Sequence, residues 1–215
     1  MNKDEIVKRI LSSIILIPTV LFFIIKGSFL FNFFIFICFL ITTYEWLKLS
    51  KNSLLKLIGT IFILISFYTI FNIRNEFDRD YFHLLLVVII CVSTDIGGYV
   101  FGNIFKGPKL TKISPKKTYS GVIGSFLLSL IFTNLFLDFL SNVETFEFTK
   151  EMFLFILLVS LVSQIGDIII SFFKRKSKIK NTGIIIPGHG GILDRIDGMI
   201  FALPFAYVFF LNFNF

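Results

Sequence analysis

The sequence predicts an all-α protein, a polytopic bundle of about seven transmembrane helices with basic cytoplasmic loops. Two observations support this prediction. Hydrophobic residues make up 55% of the 215 positions, and the mean hydropathy is +0.86. The apolar residues are also gathered into uninterrupted runs, each close to the roughly 20 residues that an α-helix needs to cross a bilayer. This composition is not that of a soluble domain.

The predicted spans follow one another without a linker that would mark a domain boundary. They lie near residues 7–25, 28–46, 57–73, 81–101, 121–140, 152–173 and 194–213. The first follows Lys8 and Arg9 as a signal peptide would, but no small-residue cleavage site comes after it, so we predict an uncleaved helix. Pro18 leaves open whether this element is tilted or hairpin-like. We expect a single integral membrane domain over residues 1–215.

The distribution of the basic residues predicts the orientation of the bundle. Seventeen of the 21 Lys and Arg residues fall on one side of the seven spans. Because loops rich in Lys and Arg stay in the cytoplasm, we predict that the N-terminus and loops 102–119 and 174–191 are cytoplasmic, with the C-terminus outside. The net charge of +7 follows this topology, so no nucleic-acid partner is expected.

Acidic residues inside the spans indicate a functional site. An aspartate in a membrane helix costs roughly 2.5–3.5 kcal/mol, so it usually faces a cavity, a partner or an ion. Asp167, Ser171 and Lys174 recur at i, i+4 and i+7, which places them on one helix face. Asp95 lies in the fourth span beside two glycines that permit close helix packing.

The stretch PGHGGILDRID at 187–197 concentrates polar chemistry before the last span. Asp194 and Asp197, three residues apart, share a helix face just after Gly190 and Gly191. Glycines let backbone N–H groups approach an anion, and carboxylates beside an anion site make sense if a hard cation such as Mg²⁺ bridges them. His189, between glycines, predicts phosphate contact or proton handling, and zinc is disfavoured because no Cys or further His accompanies it in this stretch. Metal-assisted phosphoryl or nucleotidyl transfer is the chemistry that this pattern suggests.

The segment SFFKRKSKIKNTGIIIPGHGGILDRID at 171–197 resembles the long signature of the phosphatidate cytidylyltransferases, the CDP-diacylglycerol synthases. SPKKT at 114–118 and GD at 166–167 are similar to two further blocks of that family, in the expected order and spacing. RILSSIILIP near the N-terminus and EWLKL after the second span also resemble it, so the resemblance extends over nearly the whole chain.

This resemblance implies an enzyme of the cell (inner) membrane that joins CTP and phosphatidic acid to give CDP-diacylglycerol and pyrophosphate. The active site would face the cytoplasm and occupy roughly residues 92–200. Mg²⁺ would be held by Asp167, Asp194 and Asp197, and a second cation is compatible with the site. The expected catalytic residues are Asp167, Asp194, Asp197, His189 and Lys174. The expected substrate-binding residues are Lys116, Lys117, Ser171, Arg175, Lys180, Gly190, Gly191, Arg195 and Asp95.

The chain departs from the family pattern at three places. Asn181 stands where the family usually has Asp, Ile170 replaces a common Glu, and Tyr119-Ser120 replaces a common Trp-Glu. Metal preference or rate is therefore expected to differ. A membrane lipid or polyprenol kinase that uses CTP is the alternative enzyme, and an anion transporter is the alternative from another class. The sequence leaves the oligomeric state open, with a homodimer as one outcome.

Overall fold

The computed structural model describes residues 3–76, 81–111, 114, 117–141 and 148–212, with the backbone alone at 3–6, 10, 140 and 141. The helices in this part of the chain are α1 (Lys3–Lys26), α2 (Ser28–Leu49), α3 (Ser53–Asn75), α4 (Phe82–Ile104), α5 (Tyr119–Ser141), α6 (Lys150–Lys176), α7 (Leu193–Ile196) and α8 (Met199–Asn212). Every regular element described is a helix, which confirms the all-α prediction.

Six of these helices, α1 to α6, are long and apolar enough to cross a membrane, so the chain is a polytopic membrane protein as predicted. The seventh predicted span differs. It is made of α7, with four residues, and the apolar α8, with 14 residues. At about 1.5 Å per residue, α8 is roughly 21 Å long, which is shorter than the ~30 Å hydrocarbon core.

The first helix is one continuous element with Pro18 in its interior, so the hairpin-like alternative is wrong. It ends at Gly27, whose φ of 61° lies in the left-handed region that glycine adopts most easily. The Arg74 side chain, 8% exposed, covers this turn and donates from Nε to the Ile24 carbonyl at 2.8 Å. A guanidinium at a helix C-terminus satisfies a carbonyl that the helix leaves unpaired.

The described chain divides into two compact units. Unit 1 comprises Met1–Leu84 and Phe173–Asp197, and unit 2 comprises Leu85–Phe172 and Gly198–Phe215. The expectation of a single domain stays a prediction.

In unit 1, the C-terminal end of α2 contacts the last turn of α6 and the residue that follows it. The Trp46 ring meets the Phe173 ring edge to face at 5.2 Å, and Trp46 Nε1 donates to the Lys56 carbonyl at 3.3 Å. Ser177 Oγ donates to the Leu49 carbonyl at 2.6 Å. These contacts fix the start of the polar loop 177–192 on the C-terminal end of α2.

In unit 2, small residues bring α4, α5 and α6 close together. Gly97 faces the backbone of Gly124, where an added Cβ would overlap the carbonyl group. Ser125 Oγ donates to the Thr94 carbonyl, and Thr94 Oγ1 donates to Ser160 Oγ, each at 2.8 Å. Such contacts are typical of helices in membranes, where small residues permit close approach and hydroxyl groups bond across the interface.

Candidate active site

The glycine-rich stretch forms a tight turn for local reasons. Pro187 fixes φ at the second turn position, and Gly188 has a φ of 74°, which the third position of a type II turn requires. The His189 N–H closes the turn on the Ile186 carbonyl at 3.0 Å. The Ile186 N–H then donates to the Gly190 carbonyl at 2.8 Å, so the turn returns the chain towards α7.

After this turn, two carboxylates of unit 1 converge on one ammonium group. Lys174 Nζ, in the last turn of α6, lies 3.0 Å from Asp194 Oδ1 and 3.2 Å from Asp197 Oδ2. Each of the three residues is 9% exposed. Because buried charges are expensive unless paired, this arrangement stabilises two buried carboxylates with one ammonium group.

The second oxygen of Asp194 is held by the backbone. Asp194 Oδ2 accepts the Thr182 N–H at 2.7 Å and the Gly191 N–H at 3.0 Å. Gly190, with a φ of 94°, packs so closely that an added Cβ would lie 2.6 Å from this oxygen. Oδ2 is therefore fixed, and Oδ1 is left directed at the point where Lys174 Nζ lies.

A third carboxylate, that of Glu45 in α2, binds the segment that leads from Thr182 to Leu193. Glu45 is 2% exposed. Its Oε2 accepts from Thr182 Oγ1 and from the Leu193 N–H, each at 2.9 Å, and its Oε1 accepts from the Ile192 N–H at 3.1 Å. Thr182 thus bonds to Glu45 through its side chain and to Asp194 through its backbone. Glu45 stabilises the segment that orients Asp194.

His189 contacts the N-terminal part of α1. Its Nδ1 lies 2.7 Å from Ser12 Oγ, and Arg9 Nε donates to the Gly188 carbonyl at 2.9 Å. Burial, followed by the charges of Arg195 and Arg9, lowers the pKa of His189 below its usual 6.5. His189 is therefore neutral at pH 7, as a group beside two guanidinium groups is expected to be.

Unit 2 holds a separate polar cluster on α6. Asp167 Oδ2 forms an ion pair with Lys117 Nζ at 2.5 Å, and Asp167 Oδ1 accepts from Ser171 Oγ at 3.2 Å. Lys117 Nζ also lies 3.4 Å from the Gln164 carbonyl. Asp167 and Ser171 lie on one face of α6, which is the i, i+4 placement that the sequence predicts for them.

The loop before α5 positions Lys117. The Leu110 N–H donates to the Lys117 carbonyl at 2.8 Å, so the two ends of the loop pair across it. Thr118 caps α5, because its Oγ1 accepts the Gly121 N–H at 3.1 Å. Ser120, one of the departures from the family pattern, donates from Oγ to the Lys106 carbonyl. Its hydroxyl group therefore has a structural role at the base of this loop.

The comparison with known proteins decides the family. Residues 52–213 match the family model described as "Cytidylyltransferase family". The chain belongs to the cytidylyltransferase family. This cytidylyltransferase is 36% identical over 205 residues to a protein of Rickettsia conorii named phosphatidate cytidylyltransferase, with 93% of this chain and 88% of the relative covered.

Two further relatives carry the same name. The Rickettsia typhi protein is 37% identical to this cytidylyltransferase over 211 residues, covering 94% of this chain and 91% of the relative. The Haemophilus influenzae protein is 36% identical over 169 residues, covering 75% of this chain and 59% of the relative.

The structure brings part of the predicted site of this cytidylyltransferase together within each unit. Lys174, Asp194 and Asp197 meet in unit 1, and Lys117, Asp167 and Ser171 meet in unit 2. Four other predicted residues have exposed side chains, namely Asp95, Arg175, Lys180 and Arg195. Lys116 lies outside the described residues. The assigned roles stay predictions.

Sequence reasoning missed Glu45, Thr182, Arg9 and Ser12 as parts of this arrangement. The sequence offers one signal for Glu45. It is the only acidic residue in α2, the helix that corresponds to the second predicted span. Thr182, Arg9 and Ser12 carry no such signal, since hydroxyl and basic residues are common at the cytoplasmic ends of membrane helices.

The donor set of unit 1 fits Mg²⁺. Asp194 Oδ1 and Asp197 Oδ2 point at one centre, and Mg²⁺ in phosphate-handling enzymes usually takes one or two carboxylates plus phosphate oxygens. Among the described residues, no group of three or more His, Cys, Asp or Glu side chains is arranged to hold a metal ion by itself. Substrate phosphates would therefore have to complete the coordination sphere.

Proposed function

We propose that this cytidylyltransferase transfers the cytidylyl group of CTP to phosphatidic acid, giving CDP-diacylglycerol and pyrophosphate. An oxygen of the lipid phosphate forms a bond to the α-phosphorus of CTP. The bond from that phosphorus to the oxygen that bridges to the β-phosphate breaks, and pyrophosphate leaves with the electron pair. The names of relatives at 36–37% identity support this substrate pair. The observation that carries the proposal is the convergence of Asp194 and Asp197 on Lys174.

Asp194 and Asp197 would hold Mg²⁺, which supplies Lewis-acid stabilisation of phosphate charge when bound. Asp194 suits this role because two backbone N–H groups fix its other oxygen, so that Oδ1 is oriented without cost at the moment of binding. Lys174, freed from the carboxylates, would bind a phosphate oxygen of the nucleotide. Before the substrate binds, Lys174 would pair with the two carboxylates at about 3 Å. Afterwards Lys174 would pair with a phosphate oxygen, and the carboxylates would bind the cation.

In unit 2, the Lys117–Asp167 pair supports a second set of roles. Lys117 would bind phosphate from the loop, together with Lys116, and Asp167 is the further carboxylate that the resemblance assigns to a divalent cation. Ser171 holds Asp167 in its orientation through their hydrogen bond. Arg175, Lys180 and Arg195 are exposed cations that would attract the triphosphate.

The proposed location is the cell (inner) membrane, with this chemistry on the cytoplasmic side. The excess of Lys and Arg in loops 102–119 and 174–191 supports that orientation. A soluble nucleotide and a lipid headgroup can meet at such a surface, whereas neither substrate would reach a site at the bilayer centre.

The experiment uses purified protein in detergent with phosphatidic acid, Mg²⁺ and CTP labelled at either the α- or the γ-phosphorus. The proposal expects the α label in a chloroform-soluble product and the γ label in pyrophosphate. Transfer of the γ label to lipid would instead identify a CTP-dependent kinase. No transfer of either label with phosphatidic acid, and none of the γ label when diacylglycerol or a polyprenol is the acceptor, with protein that remains folded, would refute both enzymes.

A further inference from the structure

The N-terminal part of α1 is tied directly to the glycine turn of the candidate site. Arg9 Nε donates to the Gly188 carbonyl, and Ser12 Oγ contacts His189 Nδ1. Gly188 lies so close that an added Cβ would be 3.1 Å from both the backbone nitrogen and the Cγ of Arg9. Nothing in the proposed nucleotide chemistry requires α1 to reach this turn.

A groove begins at this junction and runs along α1. It has a volume of about 520 Å³ and is lined by Arg9, Ser13, Ile14, Ile17 and Pro18. This groove is shallow and open, and its lining surface is almost entirely apolar, with Arg9 and Ser13 at the end nearest the glycine turn. Only 6% of the apolar window of α1 is buried within the protein, so this face meets the membrane. A ligand that fits has an anionic head and an apolar tail.

The end of the groove at Arg9 carries positive charge. The Arg9 guanidinium carries five N–H donors, and among the side chains that the structure describes one of these, Nε–H, donates to the Gly188 carbonyl. Arg195 adds a second positive charge near His189. Ser13 Oγ lies 3.5 Å from His189 Nε2, at the limit of a hydrogen bond, so its hydroxyl group is only weakly engaged.

Ser12 shows how His189 is held between these cations. The Ser12 hydroxyl group lies 2.8 Å from the Lys8 carbonyl oxygen and 2.7 Å from His189 Nδ1, so it links the ring to the backbone of α1. A neutral imidazole adds no charge of its own beside the two guanidinium groups. It therefore leaves their attraction for an anion undiminished.

We propose that this groove binds the lipid substrate, with the phosphomonoester of phosphatidic acid on Arg9 and Ser13 and an acyl chain along Ile14, Ile17 and Pro18. This inference rests on the proposed function. Charge complementarity selects a phosphate, and the planar guanidinium binds two phosphate oxygens at once. The apolar lining selects the lipid over CTP, because the nucleotide has no apolar part that would occupy it.

The test measures the initial rate against the mole fraction of phosphatidic acid in mixed micelles, and separately against CTP, for matched variants. Arg9→Gln removes the proposed phosphate ligand, and Lys8→Gln removes the neighbouring exposed cation, which does not line the groove. We expect Arg9→Gln to raise the half-saturating mole fraction of lipid by about 10-fold or more, the effect of losing one charge-assisted hydrogen bond. The KM for CTP is expected to change less than about twofold, as is every parameter of Lys8→Gln.

A second pair of variants tests the apolar part and does not depend on Arg9. Ile17→Trp fills the groove, whereas Ile15→Trp adds the same ring at a position that is 69% exposed and outside it. We expect only Ile17→Trp to raise the half-saturating lipid fraction, and this pair decides the matter if Arg9→Gln does not fold.

Two outcomes would overturn the inference and leave the proposed function standing. One is a fall in kcat for Arg9→Gln with unchanged lipid dependence, which would mean that Arg9 only holds the turn. The other is an equal effect of Ile15→Trp and Ile17→Trp. If the wild-type protein makes no CDP-diacylglycerol at all, the proposed function itself fails, and that result is distinguishable from either outcome.

Discussion

Replacing Glu45 by Gln keeps the size and shape of the side chain but removes its charge and one acceptor oxygen. Glu45 accepts three hydrogen bonds, from Thr182 Oγ1, Ile192 N–H and Leu193 N–H. A Gln offers one oxygen and one NH₂ group, so its NH₂ must face at least one of these donors whichever way the amide is turned. One buried donor then loses its partner.

The expected cost follows from the burial of this site. A hydrogen bond to a charged group contributes about 1.5–3 kcal/mol, and an unsatisfied buried donor costs about 1–3 kcal/mol. These two free energies partly count the same loss, so they are not added in full. We expect the substitution to weaken the docking of the loop by about 3 kcal/mol. This cost falls on the docking of loop 181–193 on α2. A change of that size raises the equilibrium constant for opening of the loop about 100-fold.

Hydrogen exchange of the peptide that covers 181–193, followed by mass spectrometry in detergent, measures this opening. Glu45→Gln should accelerate exchange there by about two orders of magnitude and leave the α4–α5 peptides of unit 2 unchanged. Thr182→Val is the matched control: it removes one of the three donors, keeps the Thr182 N–H bond to Asp194, and should accelerate exchange only about 10-fold. Wild-type exchange rates in Glu45→Gln would refute the view that Glu45 holds the loop.

The other predictions concern the carboxylates, the departure at 181, pH and topology. Asp167→Asn and Asp194→Asn should each remove most activity while the protein still folds; full activity at normal Mg²⁺ would end the metal-site assignment. Asn181 borders Gly190 beside Asp194, so Asn181→Asp should lower the half-maximal Mg²⁺ concentration, and superimposable Mg²⁺ curves would exclude a part in cation binding. Folding lowers the pKa of His189, so the contribution of neutral His189 to stability is complete above pH 6.5 and is lost as the pH falls below that value. The unfolding temperature of His189→Gln should therefore fall less than that of the wild type as the pH is lowered. Parallel curves of unfolding temperature against pH for the two proteins would contradict this prediction. A single Cys replacing Lys178 should be labelled only from the cytoplasmic side, and external labelling would reverse the topology.

Much of the fold could be predicted because membrane insertion depends on local composition. A helix must satisfy its own backbone in lipid and expose apolar side chains to it, so each span is recognisable from its own residues. Apart from the first residue of α4, the bounds of α2 to α6 coincide with the predicted spans or extend past them by up to four residues, since helices continue through polar residues into the interface. The last predicted span is divided at Asp197-Gly198 into α7 and α8, a break that hydropathy alone does not register.

The candidate site shows where sequence reasoning ends. By itself the sequence determined the membrane class and the family resemblance. It also determined that Asp167, Asp194 and Asp197 need compensating partners, since a charge in an apolar run has a free-energy cost wherever it lies. Only the tertiary structure decided which partners these are. Lys174 lies 20 residues from Asp194 along the chain, and Glu45 contacts a loop 137 to 148 residues away. A hydrogen bond is directional and extends about 3 Å, so its partners are set by how helices distant in sequence pack together, and no local pattern records that packing.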